Sequence, residues 1–229
     1  MVDPQGWTAR GSIQSLRPSM AVSQQREEMQ TKQEIQNTTS VIISFTDSYA
    51  QNKQGKQNEQ PESESLPPLS EVGSTLLSLR NQIEMNKSYK QVILIPKLLQ
   101  SLVALSFYKI GNHIDLEVDQ QRIDVRSWSR ACLSWIQSFG DEQVQQELVR
   151  QGYGRVMSLS FCTSGGVGEE QDAEIRDGLY RISRFLNQLH EGRNYPQPSF
   201  QPLPLLVRST EVQIEEEGAI EEIDAQMKN

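Results

Sequence analysis

The sequence predicts a mainly α fold: an irregular helical core with one or two short strands, α+β being the alternative class. A disordered polar N-terminal arm and an acidic C-terminal tail flank it. Three observations carry this. Apolar residues recur at helical spacing through 72–192 and are sparse before it. Residues 50–70, AQNKQGKQNEQPESESLPPLS, hold no large apolar side chain before Leu66 and read as a linker. Charge divides as well, at +1 over 1–110, −5 over 111–192 and −4 over 193–229. The domains are therefore placed at 1–70 (arm and linker), 71–192 (helical core) and 193–229 (tail).

Within the arm, AVSQQREEMQTKQEIQ (21–36) offers Val22, Met29 and Ile35 without a continuous stripe, so it reads as nascent helix or disorder. TTSVIISF (38–45) is dense in β-branched residues and reads as an isolated strand that pairs at long range or folds on a partner. A helix over about 72–89 follows, capped by Ser70, with Leu76, Leu79 and Ile83 on one face.

The stretch QVILIPKLLQSLVALSFYKIG (91–111) is the most apolar of the chain. The residue before Pro96 is pushed out of the α region, so VILI is extended or ends a helix. Pro96 suits the first turn of a new helix whose apolar residues are Leu98, Leu99, Leu102, Val103, Leu105 and Phe107, with Gly111 as its stop. A bilayer span needs about 20 apolar residues. Pro96, Lys97 and Gln100 interrupt this run, and a central Lys alone costs about 2.5–3.5 kcal/mol. It is expected to be a core helix with Leu98, Leu102 and Leu105 buried, not a transmembrane segment.

Residues 112–126 alternate Ile114, Leu116 and Val118 and read as a short strand or exposed crossing. Trp128, Cys132, Trp135, Ile136 and Phe139 then fall on one helical face, with Asp124 or Ser127 as cap and Gly140 as stop. A further helix opens at Asp141, buries Val144, Leu148 and Val149, and ends at Gly152. RVMSLSF (155–161) alternates Met157, Leu159 and Phe161 with smaller residues and reads as a half-buried strand. The last core helix, about 171–190, carries Ile175, Leu179, Ile182, Phe185, Leu186 and Leu189 and stops at Gly192. Prolines at 196, 198, 202 and 204 favour an extended tail.

Composition disfavours several classes. Nucleic acid is held by clustered Lys and Arg, and no five-residue window holds more than two. Cys132 and Cys162 form neither a disulfide framework nor a metal-ligand spacing. FCTSGGVGEE (161–170) has the order of a phosphate loop, yet matches neither phosphate-binding glycine pattern and places acids where a phosphate would sit. His113 and His190 are the available imidazole bases, one in a polar crossing and one at a helix end. The opening MVDPQGWTARG lacks the apolar core of a secretory leader, which makes an intracellular location the expectation.

The function these features favour is a non-enzymatic regulatory or accessory protein, viral or cellular, that binds another protein and uses no cofactor or metal. The alternatives are a self-assembling matrix-like or nucleocapsid-associated protein, and an enzyme with a Cys132 or Cys162 nucleophile. The oligomeric state is left open. Partner-binding residues are expected at Val212, Ile214, Glu215, Glu216, Glu217, Ile220 and Ile223. There VQIEEE resembles a strand-forming motif followed by acids, able to add to a partner's sheet edge. Trp128 and Trp135 are candidate anchors. LLSLRNQIEM (76–85) has the apolar spacing of a leucine-rich nuclear export signal, as any amphipathic helix does.

Overall fold

The structure is a computed structural model that describes residues 16–54, 67–86, 92–110, 115–162, 172–194 and 196–219. Its helices are α1 (Leu16–Gln54), α2 (Leu69–Asn86), α3 (Leu98–Ser106), α4 (Leu116–Phe139), α5 (Glu142–Arg150), α6 (Tyr153–Cys162), α7 (Asp172–Glu191) and α8 (Pro204–Glu216). The mainly α class holds. Among the described residues there is no strand, and the one β feature is an isolated antiparallel bridge between Arg193 and Phe200.

The chain divides into two compact units, residues 1–34 and 35–229. In the first, the described residues are the opening half of α1, where Gln30 Nε2 donates to Glu34 Oε1 at 3.5 Å. All further contacts concern the second.

There the strand expected at 38–45 is helix. Ile35, Thr39, Ile42, Thr46 and Tyr49 recur at alternating steps of four and three, the seam of a packed helix. Two of those positions are threonines. Their hydroxyls donate to carbonyls one turn back, Thr39 to Ile35 at 2.8 Å and Thr46 to Ile42 at 2.7 Å. With the hydroxyl satisfied inside the helix, each threonine presents its methyl as an apolar group. Thr46 Oγ1 also meets Ser101 Oγ of α3 at 2.8 Å. Phe45 and Tyr49 close an aromatic cluster on Tyr108, at centroid distances of 5.6 and 5.0 Å.

Beyond α1, α2 and α3 pack on α4, and α6 packs between α7 and α8. Leu98, Leu102 and Leu105 are buried as the sequence requires. Pro96, however, precedes α3, and Lys97 caps it in the left-handed region at φ 65°. No helix among the described residues is long and apolar enough to cross a membrane. The crossing expected at 112–126 is instead the start of α4, from Leu116 onward. Its cap is Asp115, whose side chain accepts from Val118 N at 2.9 Å, not Asp124 or Ser127. Alternation misled there because Leu116 is exposed while Arg122, Arg126 and Arg130 are buried.

The strand expected at 155–161 is the helix α6. Tyr153, Val156, Met157, Ser158 and Leu159 are all buried while Arg155 among them is exposed, so burial on most sides of the described turns hides the helical period. Ser158 is accommodated because its hydroxyl donates to Gly154 O at 3.0 Å. The extended tail is corrected too. Pro204 stands in the first turn of α8, where its missing N–H costs nothing, and Val207 and Ile214 face the core. Of the linker expected at 50–70, residues 50–54 belong to α1 and 69–70 to α2; its residues 55–66, the loop at 163–171 and residues 220–229 lie outside the described residues.

Candidate functional site

Between 193 and 203 the chain runs from the end of α7 to α8 under the hold of one side chain. Arg193 is buried beneath the C-terminus of α4. Its Nη1 donates to Gln137 O and Ser138 O, both at 3.1 Å, its Nη2 to Gly140 O, and its Nε to Pro198 O at 3.0 Å. The guanidinium also lies 4.7 Å from the centroid of Phe200. A cation at the orphan carbonyls of a helix C-terminus is favoured twice, by the bonds and by the dipole. This clamp fixes where α8 starts.

α8 docks on the turn between α5 and α6 through Gln213. Its Nε2 donates to Val149 O at 2.7 Å, and its Oε1 accepts from Gly154 N at 3.1 Å. One amide thus satisfies the end of α5 and the beginning of α6. Close approach requires glycine here, since a Cβ on Gly154 would lie 3.0 Å from Thr210 Cγ2 and 2.9 Å from Gln213 Oε1. Arg155 adds ion pairs to Glu216 at 2.8 Å and Glu217 at 2.7 Å.

Beside this junction runs an open groove of about 500 Å³, lined by Arg150, Gln151, Gly152 and Arg155 on one wall and by Arg208, Ser209, Val212, Gln213 and Glu216 on the other. At about 100° per residue, Leu205 and Val212 lie within about 20° of each other on α8 and roughly opposite Ile214. Both point away from the core, Leu205 at 80% and Val212 at 45% exposure. Arg208 stands between them, exposed, and makes no ion pair among the described residues. Arg150, by contrast, is held by Glu147 at 2.6 Å, and this pairing pulls the Glu147 carboxyl below its usual range.

The residues expected to bind a partner are thus split by the helix. Val212, Glu215 and Glu216 are exposed, Ile214 is buried, and Glu217 is half-buried against Arg155. The strand motif expected at 212–217 is corrected to helix through Glu216, so this segment presents side chains and not a strand edge. Ile220 and Ile223 lie outside the described residues. Trp128 and Trp135 are half-buried against the core, Trp135 stacked on Phe139 at 5.4 Å with the Arg80 guanidinium 5.9 Å from its ring. Sequence reading missed Leu205, Arg208, Arg150 and Arg155. The first two were findable: once 204–216 is drawn as a helix, Leu205 and Val212 fall opposite Val207 and Ile214. The last two were not, because they enter from two other helices, Arg150 at the end of α5 and Arg155 in the first turn of α6.

The other candidates sit as follows. Cys132 is buried, its thiol donating to Leu76 O at 3.5 Å, and burial pushes its pKa up, so it is held protonated. His190 is exposed, 3.8 Å from Glu211. His113 and the side chain of Cys162 lie outside the described residues, as does most of the glycine-rich loop. No group of three or more metal-ligating side chains occurs among the described residues. Leu76, Leu79 and Ile83, the export-signal positions, are fully buried. Compared with protein-family models, curated proteins and solved structures, the chain matches none.

Proposed function

We propose that this protein is a non-enzymatic, intracellular regulatory or accessory protein that acts by docking another protein on the outer face of α8 and the adjoining groove. The observation that carries this reading is the exposure of Leu205 and Val212 two turns apart on one face, opposite the buried seam of their own helix. Apolar side chains centred on a solvent face contribute nothing to folding and much to association. The rigid mounting of α8 supports it further. Gln213, Arg155 and the Arg193 clamp hold the helix before any partner arrives, so little ordering cost falls on binding.

Site-specific photo-crosslinking in cells tests this. A photoreactive phenylalanine analogue placed at position 205 or 212 is expected to give a discrete covalent adduct with another protein. The same group at Gln143, exposed on α5, is the control. If neither position in α8 gives an adduct above that control, the docking face is not here.

A further inference from the structure

The face described above also carries information about what covers it, and this inference rests on the reading of that face as a docking surface. We infer that the occupant is an amphipathic helix of a partner protein. It lays two apolar side chains, seven residues apart, on Leu205 and Val212, and turns a carboxylate toward Arg208.

Leu205 and Val212 are seven residues apart on one face, about 10 Å along the axis. A second helix meets such a pair with its own i, i+7 pair, as ridges and grooves on helices require. An extended strand would cover the same distance in about three residues. Its side chains alternate between two faces, and it would leave its backbone unpaired, because α8 offers no strand edge.

Charge selects among such helices. The whole chain carries a net charge of −8, so most of its surface repels an acidic segment. The groove beside α8 departs from that balance, since three guanidiniums, Arg150, Arg155 and Arg208, line it against one carboxylate, Glu216. Two of the three already have acids, Arg150 with Glu147, and Arg155 with Glu216 and Glu217. Arg208 is therefore the guanidinium positioned to receive a carboxylate, which it can take with two parallel N–H bonds.

The same inventory argues against a phosphate group. A phosphate site assembles several convergent free donors, whereas Gly154 N at the start of α6 is occupied by Gln213, and Arg150 and Arg155 by carboxylates. Polarity along the face is defined too. Glu215 is exposed seven residues beyond Arg208 on the same flank, so the partner's acid belongs over the first half of α8 and a basic residue suits the second.

A displayed library of random 16-residue peptides, panned on the full chain, tests this directly. Enriched peptides are expected to share an apolar pair seven apart with Asp or Glu between the two, three residues after the first in the parallel sense and four after it in the antiparallel sense. Arg208→Glu is expected to weaken them at least about tenfold and, when panned itself, to enrich Lys or Arg at that register. Leu205→Asp is expected to abolish binding. If Leu205→Asp abolishes binding but Arg208→Glu leaves it unchanged, the docking face stands and the proposed chemistry is wrong. If enriched peptides bind Leu205→Asp as well as the parent, the docking face itself is wrong. Enrichment of basic peptides, of inorganic-phosphate-competed peptides, or of none above a control protein also overturns the proposal.

Discussion

Replacing Arg193 by Met keeps the length and packing of the side chain and removes its charge and all its donors. Four carbonyl acceptors are affected: Gln137, Ser138, Gly140 and Pro198. Hydrogen bonds from a charged donor contribute about 1.5 kcal/mol or more each, so simple addition gives about 6 kcal/mol. That sum is too large for a reason visible in the structure. Gln145 Nε2 also donates to Gln137 O and Gly140 O, both at 2.9 Å, so these two keep a partner when the guanidinium goes. Ser138 O and Pro198 O lose theirs, and the stack on Phe200 is lost as well. The expected cost is about 3–4 kcal/mol, or roughly a 10 °C fall in Tm for a chain of this size. Urea unfolding followed by far-ultraviolet circular dichroism reads it, with an unchanged m-value as the sign of unchanged compactness. Arg193→Lys keeps the charge but not the planar fork, and is expected to lose about half as much. The double variant with Gln145→Met is expected to exceed the sum of the singles by about 1 kcal/mol or more, since each donor covers for the other at two carbonyls. A loss under about 1 kcal/mol for Arg193→Met, strictly additive with Gln145→Met, would refute the clamp.

Leu102→Asp places an unpaired carboxylate in α3 at a fully buried position and is expected to leave the chain unfolded at 25 °C, read as loss of helical circular dichroism; a cooperative native-like melt would contradict the burial. Burial pushes the Tyr153 phenol up to about 12. The folded state thus keeps a proton that the unfolded state gives up near pH 10, so the contribution of Tyr153 to stability is complete below pH 10 and falls by about 1.4 kcal/mol per unit between 10 and 12. Tyr153→Phe is expected to flatten that alkaline limb in pH-dependent urea melts, and an unchanged slope counts against the buried phenol. Thr39→Val is expected to change stability by less than about 1 kcal/mol, because the Thr39 hydroxyl answers only to its own helix. A larger loss on the same melts means that the hydroxyl has a tertiary role.

Much of the core was legible from spacing. Leu76, Leu79 and Ile83 in α2, Leu98, Leu102 and Leu105 in α3, and Val144, Leu148 and Val149 in α5 are buried where their periods place them. In α2 and α5 the helix has a polar side, so burial and sequence share one period, while α3 is short and apolar on most sides. Three segments defeated the same reasoning, each through a different mechanism. In α1 two threonines hid the seam by binding their own helix. In α6 burial on most sides hid the period. At the start of α4 a cap at Asp115 outranked a chance alternation of apolar residues. The candidate site was half legible: Val212, Glu215 and Glu216, expected from the sequence to bind a partner, lie on the exposed side of α8, but the segment was assigned to the wrong secondary structure.

By itself, then, the sequence determined that the chain is helical, that 98–105 is core rather than membrane, and where most helices run, because those properties follow from period and from the positions of Pro, Gly and capping residues. Only the tertiary structure decided what covers what. Arg193 is one arginine among many until the carbonyls at the end of α4 surround it. Leu205 and Val212 are ordinary tail residues until Val207 and Ile214 turn to the core and leave them outside. A carbonyl cluster and a solvent face are made by segments far apart in the chain, and no local pattern encodes their meeting.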